Sequence, residues 1–481
     1  MGIAQIIATA QVYVSNGRLF AQMTAVANAG FLPVPNQLVL PRLLGLETAF
    51  WGGLFFTLTV GSGLSLLSAA AASLWRRFAS SRRFTTAVIV IVMTGTVLGL
   101  NRRGWDVWVT LYFIAIPPPV FWMATRVRPL CQAPEDRRWP GRRFLPLALL
   151  GLGWFTQYDP GLFIDLRDHL LMSNAVGESV NSFYYRYTLY PAEVFKSFDQ
   201  RLIKTVAWPP EDAQGRQSAL ERELIRLDYL PVGAAAQADL ILRFDGERMA
   251  LVHAGKPVWE DAIERFLADP RRAATDISAR TDRFAVFRAA TYYGVLLAFP
   301  AALYVLLFAL IRLLCGIVFA ERRAETAAAI VCLLVGFGIL VEFKLSREGP
   351  PSPEAIAATL GSERWQQRVA ALKAINERKF DISAHPGYAA MRGSPYPLER
   401  YWLARALTAS PSPRAPDDLI RLLDDPQVNV RTMAVQALAQ RRDLRAVQPI
   451  LGLLKTSNEW YDQLYAYQAL RALRWDQTRL H

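Results

Sequence analysis

The chain has 481 residues, 52% hydrophobic and 20% charged, with a formal net charge of +13 and a mean hydropathy of +0.16. Its length predicts about three domains, and high hydrophobicity combined with ample charge fits a chain divided between lipid-facing spans and polar modules. Nucleic-acid binding is set aside as the source of the positive charge: much of the arginine flanks apolar stretches, where it orients a membrane protein, and no basic stripe is interleaved with stacking aromatics.

The three cysteines (Cys131, Cys315, Cys332) form no CxxC, and the four histidines (His169, His253, His385, His481) lack ligand spacing. No metal, haem or other cofactor is therefore expected. The N-terminus lacks a charged region followed by a compact apolar one and a cleavage site, so no cleavable signal peptide is expected.

Residues 1–46 are moderately apolar and poor in charge. The stretch 3–14 is too short to span a bilayer, and Pro33 and Pro35 are helix breakers farther along. The segment is predicted to lie at the membrane interface, with a seventh span over 19–34 as the alternative. Four spans are predicted within 47–157. The first, 48–75, carries Gly61, Ser65 and Ser68 as small packing residues, and the second covers 85–100. The third, 105–124, contains Pro117, Pro118 and Pro119, which cannot sit in a regular lipid-exposed helix; it should break or end there. The fourth covers 144–157. Two more spans fall within 291–345: 292–318, kinked at Pro300, and 326–341.

Arginine counts orient these spans. Arg76, Arg77, Arg82 and Arg83 follow the first, and Arg126, Arg128, Arg137, Arg138, Arg142 and Arg143 follow the third. Arg322 and Arg323 separate the last two, against only Arg102 and Arg103 between the second and third. The alternation predicts an integral protein of the bacterial inner membrane with both soluble regions extracytoplasmic. Arg312 is the one charge inside a long apolar run. It either snorkels to the headgroups or lines a polar path, and the second possibility makes a transporter or channel component one alternative function.

The segment 158–290 is predicted to be a small α/β extracytoplasmic module. On a helix, Asp165, Asp168 or His169, and Met172 share one face. Asp168 beside His169 could do acid–base work, which makes a membrane enzyme another alternative. No nucleophile elbow, phosphate-binding loop or metal triad accompanies the pair. Tyr184, Tyr185, Tyr187 and Tyr190 suit a membrane–water boundary, and Tyr184, Tyr185, Arg186 and Tyr187 also read as a protein-binding patch. Beyond these, a helix is predicted at 218–227, a hairpin at 240–253 turning on Asp245 and Gly246, and a helix at 259–267. A core this small is marginal alone and should dock on the spans or on the C-terminal region.

That C-terminal region, 353–477, comes after a stiff connector containing Pro350, Pro351 and Pro353. Four stretches share a template, a polar anchor with small or apolar residues at +3, +6 and +7: Arg368, Ala371, Ala374, Ile375; Arg400, Leu403, Ala406, Leu407; Arg431, Ala434, Ala437, Leu438; and Gln463, Ala466, Ala469, Leu470. The anchors stand 32, 31 and 32 residues apart, a period that predicts stacked helical hairpins. The unit running from Asp418 through Asp425, Pro426, Val430 and Arg431 to Leu438 resembles the HEAT repeat, especially the short variety named after phycobilisome lyases. The resemblance implies that Asp425-Pro426 turns the chain and that Val430-Arg431 opens a second helix. It also implies that Arg368, Arg400 and Arg431 support the fold, with Gln463 departing as a terminal repeat does. The second unit, with His385-Pro386 and Pro395-Tyr396-Pro397 in its turns, should be irregular.

The expected fold is mainly α: a polytopic bundle of about six spans, a small α/β module and a C-terminal α-solenoid. Such arrays are rarely catalytic and bind proteins on extended surfaces. The leading function is therefore to bind or scaffold a protein partner at the extracytoplasmic face, in the assembly of a membrane or periplasmic complex, with the lipid bilayer as the other partner.

Overall fold

A computed structural model describes residues 1–77, 82–126, 144–157, 161–209, 215–233 and 237–479. The arginine-rich loop over 127–143, with Cys131, lies outside the described residues. The chain is mainly helical with one small mixed sheet, and it divides into two compact units.

The first unit comprises Met1–Val12, Ala49–Leu166 and Arg283–Arg347. Among the described residues, four helices are long and apolar enough to cross a membrane: Leu46–Arg76, Val107–Arg126, Ala285–Val318 and Arg323–Ser346. The second and fourth expected spans correspond to shorter apolar helices, Thr86–Leu100 and Leu145–Phe155. Length and composition thus mark four candidate spans among the described residues, where six were expected. The 27-residue helix Gly2–Asn28 runs through residues 3–14, stops before the breakers Pro33 and Pro35, and is not among the four.

The proline triplet interrupts its helix without ending the apolar run. Helix Val107–Ala115 stops at a bend on Ile116, and Pro117–Arg126 begins with the three prolines. In a first turn their missing N–H groups have no intrahelical partner to lose. Pro300 likewise follows a disturbed turn, the π-helical Gly294–Ala298 that leads into Phe299–Val318. A second π-turn, Thr57–Gly61, faces it. Glycine permits the close approach: a Cβ on Gly294 would stand 3.0 Å from the Thr59 carbonyl carbon, and one on Gly53 would stand 2.8 Å from the Thr9 nitrogen.

The second unit comprises Tyr13–Thr48, Arg167–Asp282 and Glu348–His481. Its sheet contains β1 (Lys204–Ala207), β2 (Tyr229–Val232), β3 (Leu240–Asp245), β4 (Arg248–His253) and β5 (Lys256–Ala262), in the order β2-β1-β3-β4-β5. β1 runs parallel to β2 and β3, and the rest is antiparallel. The expected hairpin is β3–β4, with Gly246 at φ +61° in its turn. Two features differ from expectation. The stretch read as a helix over 259–267 begins as β5, and only Ile263–Ala268 is helical; pairing with β4, where Trp259 stands opposite Leu251, overrides the local helical pattern. β1 and β2 have four residues each, all buried, so they lack the alternation that marks a half-exposed strand. Val206, Leu220, Leu224, Leu240, Leu251, Phe266 and Ile277 form the core of this module.

The C-terminal repeat region consists of four helical units. Their second helices are Trp365–Arg378, Pro397–Leu407, Val428–Arg441 and Trp460–Ala472, and each packs on the next. The apolar positions of the template are all at most 4% exposed. The irregular second unit replaces its first helix with 3₁₀ turns, Ile382–Ala384 and Pro386–Gly393.

Candidate interaction site on the repeat array

The anchors index the repeats by a recurring geometry. Each donates to the carbonyl six residues before it: Arg368 to Ser362 at 2.7 Å, Arg400 to Ser394 at 2.5 Å, Arg431 to Asp425 at 2.7 Å and Gln463 to Ser457 at 2.8 Å. That bond closes the turn between the two helices of a unit. The guanidinium groups also reach the following unit. Arg368 donates to Glu399 at 2.5 Å, Arg400 to both oxygens of Asp425 at 2.6 and 3.0 Å, and Arg431 to Asp462 at 2.8 Å. These bonds are charge-assisted, buried at Arg400 and half-buried at Arg368 and Arg431, so they specify which helix comes next to which.

At Gln463 the corresponding contact is made by the segment after the N-terminal helix. The Asn36 N–H donates to Gln463 Oε1 at 2.8 Å, and Asn36 Nδ2 donates to the carbonyls of Leu454, Lys455 and Ser457 at 3.1, 3.2 and 3.0 Å. The carbonyls at the end of helix Val447–Thr456, which have no partner within the helix, are thereby satisfied by a side chain 418 residues from Leu454 in sequence. Leu32 and Gln477 exchange two more hydrogen bonds, both between backbone and side chain.

The α/β module docks on the same repeat. Tyr467 Oη donates to Asp228 at 2.6 Å, Arg471 pairs with Asp228 at 3.1 Å and donates to the Arg226 carbonyl at 2.6 Å, and Arg479 donates to Glu221 at 2.6 Å. Burial pushes the Asp228 carboxyl above its ordinary range despite Lys204 and Arg471 nearby.

The second-helix face of the array is covered by the polar and aromatic stretch that opens the module. Asp168, 5% exposed, accepts from Trp402 Nε1 at 2.9 Å, pairs with Lys373 at 3.0 Å and with Arg167 at 2.5 Å. Arg167 in turn donates to Tyr401 Oη at 3.0 Å and lies 4.3 Å over its ring. Farther along, Asn181 donates to Asn429 Oδ1 at 2.7 Å. The rings of Tyr184 and Tyr185 lie 6.1 and 4.7 Å from Tyr461, Thr188 shares a hydrogen bond with the Tyr461 hydroxyl, and Tyr190 packs on Trp460. Burial raises the pKa values of Tyr185 and Tyr461 and pushes Tyr190 up to about 12.

The other residues singled out from the sequence fall elsewhere. Tyr187 is buried and donates to Glu47 at 2.5 Å, and Arg186 is exposed. Arg312 pairs with Glu321 at 3.1 Å and Glu325 at 3.6 Å, in the first turns of the helix after it. Asp168 is likewise engaged by three donors, Trp402, Lys373 and Arg167. Among the described residues, no group of three or more His, Cys, Asp or Glu side chains could hold a metal ion.

Residues 388–471 match the family model described as HEAT repeats. The match runs from the second unit to the fourth. No curated protein and no solved structure matches the chain.

Proposed function

We propose that the chain is a membrane-anchored HEAT-repeat protein that scaffolds its own soluble module and presents the remaining face of the array to a protein partner. The array is a solenoid of the short variety named after phycobilisome lyases. Six apolar helices, the four long ones with Thr86–Leu100 and Leu145–Phe155, anchor it in the inner membrane of a bacterium. The arginine loops put both soluble regions outside the cytoplasm, where the partner is a component of a membrane or periplasmic complex under assembly.

The observation carrying this reading is the match to HEAT repeats, taken with the face already occupied. Since the stretch 167–190 covers the second helices, a partner has the first helices, Ala415–Arg421 and Val447–Thr456, to engage. Charged side chains on them and in the turn before the second are exposed: Asp417 and Arg445, the latter in the turn Leu444–Ala446, are each 57% exposed, Arg421 is 68% exposed, and Lys455 is exposed. Mixed charge of this kind suits the polar rim of a protein interface. Deleting the array would strip the cover from 167–190, so charge reversal is the cleaner test. Affinity capture with the full-length Arg421→Glu/Arg445→Glu/Lys455→Glu variant should lose proteins that the parent retains, and an unchanged set would sink the reading. For the topology, a reporter active only in the cytoplasm, fused after His481, should stay silent; a strong signal would overturn the placement.

A further inference from the structure

Helix Ala175–Tyr187 carries an apolar stripe on its uncovered side, next to the exposed Ser179, Ser182 and Arg186. It buries Gly177, Asn181 and Tyr187, whereas Val176, Val180 and Phe183 are 76%, 51% and 39% exposed. Those three stand at positions i, i+4 and i+7, one stripe of a helix, and Tyr184 beside them is 48% exposed. Two contacts fix the rotation. Asn181 turns the polar side inward through its bond to Asn429. A Cβ on Gly177 would overlap the Leu170 carbonyl, which locks the helix against the preceding one, Leu162–Leu171.

Its far end is fixed to the start of a candidate membrane helix. Tyr187 Oη donates to Glu47 Oε1 at 2.5 Å, and Glu47 lies in the first turn of the 31-residue apolar run Leu46–Arg76. Leu44 and Leu46, on either side of Gly45, are 47% and 67% exposed. The outward stripe therefore ends beside the first turn of an apolar run, where Leu44 and Leu46 are uncovered alongside the charged Arg42, Glu47 and Arg186.

We propose that Val176, Val180, Phe183 and Tyr184 rest in the headgroup region of the lipid bilayer, making Ala175–Tyr187 an interfacial helix mounted on the repeat array. This rests on the membrane anchoring proposed above. Such a helix lies flat with its apolar side roughly 5–10 Å into the boundary between headgroups and chains. Tyr184 and the exposed Arg186 have the amphipathic build favoured at that depth. The array would then set the depth and rotation of the helix through Asn429 and Tyr461.

The test uses the full chain in nanodiscs of phosphatidylethanolamine and phosphatidylglycerol, with Cys131, Cys315 and Cys332 changed to Ser. Spin labels go on Val176→Cys, Val180→Cys or Phe183→Cys, with Leu306→Cys as the lipid reference and Thr456→Cys as the water reference. Collision with oxygen should exceed collision with a water-soluble nickel chelate at all three stripe positions, inverting the ratio found at Thr456. A nickel preference at the stripe overturns the proposal in favour of water, and low collision with both reagents overturns it in favour of a covering protein. If the Leu306 label also prefers nickel, the anchoring itself fails, an outcome distinct from failure at the stripe alone. Should a labelled variant misfold, the unsubstituted chain supplies a second reading. A lipid carrying a photoreactive group near its headgroup should crosslink within 175–187, and absence of crosslinks there, with crosslinks in Phe299–Val318 present, overturns the proposal.

Discussion

Arg400 reaches into the next repeat and binds both oxygens of Asp425, the two side chains being 9% and 3% exposed. Gly53 lets its helix approach another until a single added carbon would stand 2.8 Å from the Thr9 nitrogen. One unit of the molecule keeps its helices in register with buried charge, the other with missing side chains. The array has ample apolar burial to draw helices together, so its polar pairs serve mainly to select which helix comes next to which. Helices facing lipid gain no such drive from apolar contact and depend on close packing at small residues. The contrast thus matches the different surroundings proposed for the two units.

The largest effect is expected where the charge is deepest. Arg400→Met leaves Asp425 buried without its partner and should cost about 3–5 kcal/mol, measured by denaturant unfolding of the full chain in detergent. The double variant Arg400→Met/Asp425→Leu should recover most of that loss, because an apolar pair of similar bulk avoids the desolvation penalty. A single-variant cost under about 1 kcal/mol, the range of an exposed pair, would break the comparison on the array side.

On the other side, one substitution at two glycines separates packing from propensity. Gly53→Ala forces a carbon against backbone that cannot swing away and should cost about 1–3 kcal/mol. Gly99→Ala, with nothing within 4 Å of the added carbon, should be neutral or gain up to about 1 kcal/mol from helix propensity. Thermal unfolding in the same detergent distinguishes them, and equal shifts would mean that the close approach at Gly53 holds nothing in place.

The third prediction concerns the end of the array. Asn36→Ala removes the amide that caps Leu454, Lys455 and Ser457, and should cost about 1–3 kcal/mol because buried carbonyls lose their donors. Faster hydrogen exchange confined to Val447–Thr456 and Trp460–Ala472 would show that the N-terminal segment closes the array. Unchanged exchange there would assign the closure to other contacts.

Legibility in the sequence divides along the same line. The spacing of 32, 31 and 32 residues and the small side chains at Ala371, Ala434 and Ala466 are visible because a repeating unit imposes one burial pattern four times. The acids that receive the anchors were missed, although Glu399 and Asp462 each stand one residue before the next anchor, a signal in plain view. The cover over the second helices had no such signal. Asp168 and Trp402 are 234 residues apart, and nothing periodic connects them. Tyr184 and Tyr185 were visible as a group, but nothing in the sequence connected either ring to Tyr461. β1 and β2 escaped because four buried residues carry no alternation.

The smallest effect tests whether hydroxyls can index repeats where guanidinium groups do not. Asp381, in the irregular second unit, accepts from Ser410 Oγ at 2.6 Å, from the Ser383 N–H at 3.0 Å and from Ser383 Oγ at 2.6 Å. Burial alone would raise its pKa, but the Ser383 and Ser410 hydroxyls and the Ser383 N–H outweigh it, and the carboxyl lies below its ordinary 3.8. A lowered carboxylate contributes stability that is full above the unfolded pKa and is lost as pH falls through the folded one. Asp381→Asn should therefore unfold more easily than the parent at neutral pH, by on the order of 1 kcal/mol. The gap should narrow as the pH drops below about 4, where the parent's carboxylate also takes up its proton. A gap that stays constant down to the acid limit would assign the loss to changed shape at the turn. A gap that closes would show that the ionised carboxylate itself joins the turn after the first repeat to the turn after the second.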